Sequence, residues 1–174
     1  MNDARTSGGG IYFKPTRIEG NPPTYTAARF RVSVEAMKIV KGRPPSGKEY
    51  FLLETIVKTS SNPAQPEGAR VNWMVGLDLE AAPGNIKALL IAAAGLDLNS
   101  AKDAKEIANE DWDAAGEAAV DESNPFKGTL LDLEVFFKLK KNRTPEPGRE
   151  EDPKGPWFTM VNFAPVKAAA KAAK

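Results

Sequence analysis

Apolar and polar residues alternate along LLDLEVFFKLKK, residues 130 to 141: Leu131, Leu133, Val135, Phe137 and Leu139 form one set, and Asp132, Glu134, Phe136, Lys138 and Lys140 the other. Successive side chains of a strand point to opposite faces, so this spelling fits a strand with one wet face and fits no helix. The same period recurs. In ARFRVSVEAMKIVKG, Phe30, Val32 and Val34 alternate with Arg29, Arg31, Ser33 and Glu35, and the parity then flips to Met37 and Ile39. One extra residue near Ala36, a β-bulge, produces such a flip. KEYFLLETIVKTS sets Phe51, Leu53 and Val57 against Lys48, Tyr50, Glu54 and Lys58. Further strands are expected in GGGIYFKPTRIEG, ahead of the proline-rich turn GNPPTYT, and in PWFTMVNFAPV at 156 to 166. The shorter piece ARVNWMVGL, with Val71, Trp73 and Val75 in phase, extends or pairs with the third strand.

Between residues 82 and 124 the period changes. APGNIKALLIAAAGL places Ile86, Leu89, Leu90 and Ala93 on one helical face, with Asn85 as the expected N-cap and Gly95 as the stop. Ser100 followed by Asp103 reads as a capping box opening a short second helix, after which a loose acidic connection runs to Pro125. The order is three strands, a helical insert and two strands. That is the chain order of a mainly-β, OB-fold-like β-barrel of five strands with a helical insert between strands 3 and 4. The expected domain plan is a flexible N-terminus at 1–9, a single domain at 10–166, and a basic tail at 167–174. Within the domain the helical and acidic insert spans 83–124, and a proline- and glycine-bearing loop at 141–155 is expected to be mobile.

The chain contains no histidine and no cysteine. This removes imidazole acid–base catalysis, thiolate nucleophiles and nearly every zinc site, so an enzyme, a metal and a cofactor are not expected. No apolar run approaches the ~20 residues of a membrane span, and MNDARTSGGG lacks the apolar core of a signal peptide, so a soluble cytoplasmic protein is expected. Gly42 to Glu49, GRPPSGKE, imitates a phosphate-binding loop only superficially. Glu49 stands where Ser or Thr would hold Mg²⁺, Pro44 and Pro45 remove two backbone N–H donors, and a strand follows instead of a helix. It reads as a hairpin turn.

The net charge of +1 hides a division, because residues 103 to 122 hold eight acids against Lys105 alone. The remainder is therefore basic, which suits a body that meets a polyanion. A protein that holds a single nucleic-acid strand without reading its sequence needs aromatic faces for the bases and cations for the phosphates. The row of Phe136, Lys138 and Lys140, continuing to Lys141 and Arg143, supplies both. Tyr50, flanked by Lys48 and Lys58, repeats the recipe, and Arg29 with Arg31 adds a cationic edge. Asp132 and Glu134 on the Phe136 row would repel phosphates, so a DNA path should cross the lysine end. Trp73 joins the candidate set, with core packing as the competing role that its phase favours. Trp112, lying among acids, is expected to anchor the insert to the barrel.

GIYFKPTRIEG, GNIKALLIAAAGL, NPFKGTLLDLEVFF and the closing PWFTMVNFAPV together resemble the small OB-fold single-stranded-DNA-binding proteins of bacteriophage replication and recombination modules, over roughly residues 10 to 166. The resemblance implies a non-enzymatic protein that coats exposed strands, self-associates and recruits a phage or host polymerase or recombinase. Proteins of that kind often end in an acidic tail. This chain ends in KAAAKAAK, and its acidity is internal.

Overall fold

The computed structural model describes residues 10–13, 28–42, 45, 47–139 and 157–167, of which 10–13, 137–139 and 157–159 are described by their backbone alone. The N-terminus at 1–9, the turn at 20–26, the loop at 141–155 and residues 168–174 of the basic tail lie outside the described residues.

Each alternating segment is a strand: β1 Gly10–Phe13, β2 Ala28–Lys41, β3 Glu49–Ser60, β4 Arg70–Gly76, β5 Leu130–Leu139 and β6 Trp157–Pro165. They form one antiparallel sheet in the order β1-β4-β3-β2-β5-β6. The five expected strands are all present. The piece at 70–76 is a strand in its own right, paired with β3 on one side and β1 on the other, so among the described residues the sheet has six strands and the helices follow β4. β2, β3 and β4 follow one another as neighbours. After the helices β5 returns beside β2, giving the spatial order β5-β2-β3-β4 of a Greek key. β1 and β6, the two ends of the sheet, lie against each other, but among the described residues no ladder joins them, and the sheet is not closed into a barrel.

The parity flip on β2 is a bulge, as its spelling implies. Val34 pairs with Thr55 and Ala36 with Glu54, leaving Glu35 as the extra residue. A second irregularity lies between Arg31 and Val32, where Lys58 is the extra residue on β3. Each bulge bends its strand and tightens the twist, which lets β2 serve β3 along most of its length and β5 along its first half. The flip returns Met37 to the interior, but Ile39 lies past the edge of the core and is 44% exposed.

The buried face carries the core: Phe30, Val32 and Val34 from β2, Phe51, Leu53 and Val57 from β3, Val71, Trp73 and Val75 from β4, and Leu131, Leu133 and Val135 from β5. The Thr55 hydroxyl, buried among them, donates to the carbonyl of Val71. Leu89 and Leu90 close one side from helix α1, Ala82–Ala93. That helix begins earlier than its Asn85 suggested. Pro83 occupies the first turn, where a missing N–H costs nothing, and Asn85 lies inside the helix. Gly95 does end it, at φ 83°, with its N–H on Ala92 O at 3.0 Å and the Leu96 N–H on Ile91 O at 3.0 Å, the Schellman arrangement.

Helix α2, Ala104–Asn109, is present without the expected capping box. The Asp103 side chain makes no cap and instead accepts the Asp97 N–H at 2.9 Å. The acidic connection is not loose. It forms α3, Trp112–Val120, capped by the Asp111 carboxylate, which accepts the Asp113 and Ala114 N–H groups at 3.2 and 3.0 Å. Trp112 anchors the insert as expected, packing against the core and donating its indole N–H to Ile107 O at 2.8 Å. Among the described residues no helix is long and apolar enough to cross a membrane.

Candidate nucleic-acid interface

The alternation that buries one face of the sheet presents the other outward. β3 shows Tyr50, Leu52, Glu54 and Ile56 there, β4 shows Asn72 and Met74, and β5 shows Asp132, Glu134 and Phe136. Tyr50 and Phe136 are both half-buried, so each ring keeps some open surface. Trp73 does not belong with them. It is 4% exposed, edge-on to Phe51 at 6.1 Å and to Phe163 at 5.1 Å between ring centroids, and no base can reach it.

The two outward rings are not neighbours. Tyr50 sits opposite Val40 near the end of β2, whereas Val135, next to Phe136, sits opposite Ala28 at its start. Twelve residues of strand separate those positions, about 40 Å along a bent path at ~3.3 Å per residue. The expected groove is therefore two patches.

At the Tyr50 patch the cross-strand partner is Gly76. A Cβ on Gly76 would lie 2.8 Å from Asp78 Oδ1 and at ordinary contact, 3.6 Å, from Tyr50 Cε1, so a larger residue there would push the Asp78 carboxylate aside. Lys48 Nζ meets Asp78 Oδ2 at 2.8 Å. That hydrogen bond holds the Lys48 ammonium above its ordinary pKa and the Asp78 carboxyl below its own. Lys48 thus points its charge at a carboxylate of the same chain.

At the start of β2 two ion pairs run side by side across the β2–β5 ladder, with Arg29 opposite Glu134 and Arg31 opposite Asp132. Arg29 Nη2 reaches Glu134 Oε1 at 3.1 Å, while Arg31 grips both oxygens of Asp132, at 2.8 and 3.0 Å. This double contact holds the Arg31 guanidinium above its ordinary pKa. A shallow groove crosses the pairs, edged by Thr59 and Asn162. Lys38 with Glu54, at 2.9 Å, and Lys41 with Glu49, at 3.9 Å, complete the pattern along the sheet.

Lys58, exposed at its bulge, pairs with no carboxylate among the described residues. Lys138 lies two positions beyond Phe136, opposite Phe158. Lys140, Lys141 and Arg143 lie outside the described residues. Outside 103–122 the described residues hold 12 Lys or Arg against 9 Asp or Glu, and five of each are joined in the pairs above, which leaves little open positive charge on the sheet. The sequence pattern had not marked Leu52, Ile56, Asn72 and Met74 as outward residues on the face of β3 and β4 that carries Tyr50; treating 70–76 as a full strand would have revealed the last two. No protein-family model matches the chain, and no curated protein matches its sequence.

Proposed function

We propose that the chain is a sequence-independent single-stranded DNA-binding protein with an OB-like fold, of the kind that serves bacteriophage replication or recombination inside a bacterial host. The observation that carries this reading is topological. β2 to β6 follow the course of a five-stranded Greek key with the helices between its third and fourth members, and the OB-fold is a partly open Greek-key barrel of five strands. Counted that way, β1 is an added strand. The face that binds oligonucleotides in OB-folds, on the second and third strands, then corresponds to the outer side of β3 and β4, where Tyr50 stands beside Leu52 and Met74. The two flanking loops correspond to the connection 42–48, next to Tyr50, and to the connection 140–156, which leaves β5 just beyond Phe136 and Lys138. Bases stack first on Phe136, and Tyr50, about 40 Å away along β2 at ~3.3 Å per residue, is a second, separate platform. Phosphates meet Lys138, Lys140, Lys141 and Arg143, because Arg29, Arg31 and Lys48 are engaged by carboxylates. Self-association on the strand, and recruitment of a polymerase or recombinase, belong to the same reading, and no catalysis does.

A second reading, a β-sheet adaptor or virion-associated structural protein that binds other proteins, is favoured by the charge balance of the outer sheet. Titration with oligo-dT and with duplex, followed by tryptophan fluorescence, separates the two. Four phosphate contacts predict a slope of log K against log salt of about −0.7 × 4, or roughly −3, and so about 50-fold weaker binding to oligo-dT at 200 than at 50 mM salt. Binding to neither nucleic acid selects the adaptor. Preference for duplex, or affinity indifferent to salt, contradicts the single-strand reading.

A further inference from the structure

The groove over the β2–β5 ladder holds two guanidinium–carboxylate pairs side by side, and its charges cancel. Arg29 and Arg31 stand two positions apart on one strand, about 7 Å, which is the length of roughly two stacked nucleotides. Arg31 grips Asp132 through Nε and Nη2 together, the two-pronged geometry by which a guanidinium also takes a phosphate. Thr59, opposite Arg31, and Asn162, opposite Glu134, add neutral polar groups at the rim. The pairs are open to water, with side-chain exposures of 81% and 47% for Arg29 and Glu134 and 44% and 40% for Arg31 and Asp132. Open pairs of this kind hold weakly, so an arriving anion can displace either carboxylate. The displaced carboxylate nevertheless stays in the groove and repels what displaced it.

We propose that this groove is a latent phosphate site whose two guanidinium positions are held by the chain's own carboxylates, Asp132 and Glu134. The carboxylates act as built-in stand-ins for phosphate and keep the affinity of the sheet for polyanions low, leaving strand capture to the cations near Phe136. The inference rests on the single-strand reading only for its choice of ligand. Removing the two negative charges while keeping the shapes, Asp132→Asn with Glu134→Gln, opens the site.

The test measures oligo-dT binding to the full chain across 50 to 200 mM salt. The double-amide variant is expected to bind at least about tenfold tighter at 50 mM, with the slope steepening from about −3 to about −4 as two further phosphates are engaged at ~0.7 each. Adding Arg29→Ala and Arg31→Ala to that variant is expected to abolish the gain. No gain in the double-amide variant overturns the inference. So does a gain that survives loss of both arginines, since it would then come from net charge alone. Should the wild-type chain ignore oligo-dT, the single-strand reading fails, and long-chain inorganic polyphosphate becomes the probe. A gain that depends on the two arginines upholds the latent site, and its absence overturns it. Thermal melting of each variant separates lost binding from lost fold.

Discussion

Replacing Trp73 by alanine distinguishes a core ring from a stacking platform. The side chain is 4% exposed, is inward-facing on β4 between Val71 and Val75, and meets Phe51 and Phe163 edge-on. Truncating a buried tryptophan costs about 3–5 kcal/mol, and each edge-on aromatic pair accounts for about 0.5–1.5 kcal/mol of what is lost. A loss near 4 kcal/mol is a large part of the 5–15 kcal/mol that typically holds a domain folded. With a urea slope of ~2 kcal/mol per molar, the unfolding midpoint should fall by about 2 M. Trp73→Phe keeps a ring in the same slot and should lose less than half as much. The assay is urea unfolding followed by far-UV circular dichroism, paired with oligo-dT titration under conditions where each variant is still folded. Folded Trp73→Ala should bind within about threefold of wild type. A midpoint shift under ~0.5 M together with a tenfold or greater loss of affinity would refute the reasoning, because the ring would then be working at the surface.

Phe136→Ala should behave in the opposite way: its half-buried, outward position predicts a small midpoint shift in urea but a roughly 5- to 150-fold weaker oligo-dT complex, from ~1–3 kcal/mol per stacked base. A collapse of the midpoint would make Phe136 part of the core. Gly95→Ala should destabilise by about 1 kcal/mol, because alanine resists the φ of 83° that closes α1, and thermal melting reads it as a drop of a few degrees; an unchanged melt would mean that the Schellman turn is not what ends the helix.

The strand faces were legible because parity is local. The bulge at Glu35 announces itself in the same few residues that it displaces, whereas the one at Lys58, near the end of β3, leaves no flip in the apolar pattern. Element starts were harder, since α1 contains two local signals in competition, Pro83 and Asn85, and the proline's fixed φ suits the first turn better than the amide suits a cap. The acidic stretch that follows α2 read as a loose connection because its charges dominated the pattern. What makes it helical is two particular contacts, the Asp111 cap and the Trp112 indole on Ile107. The Greek key was not written locally at all. It depends on Gly128 and Thr129 bonding both sides of Val34, at 2.8 and 2.9 Å, which brings β5 back to the middle of β2.

The same division explains the site. Arg29 and Arg31 are visible as a cationic edge, and Asp132 and Glu134 as repellent acids, but their pairing joins positions 105 and 101 residues apart and exists only through the ladder. Composition counts cations, whereas register decides how many remain free to meet a ligand. On the single-strand reading this has a geometric consequence. With the arginines engaged along β2 and Lys48 engaged at the far end, that reading leaves the phosphates to Lys138 and to the basic residues that follow it in sequence beyond Phe136. A strand held there has little electrostatic reason to follow β2 for ~40 Å to Tyr50. The site size should therefore fall toward the lower end of the ~4–16 nucleotides that OB-folds cover, and it should lengthen only when the carboxylates of the ladder are neutralised.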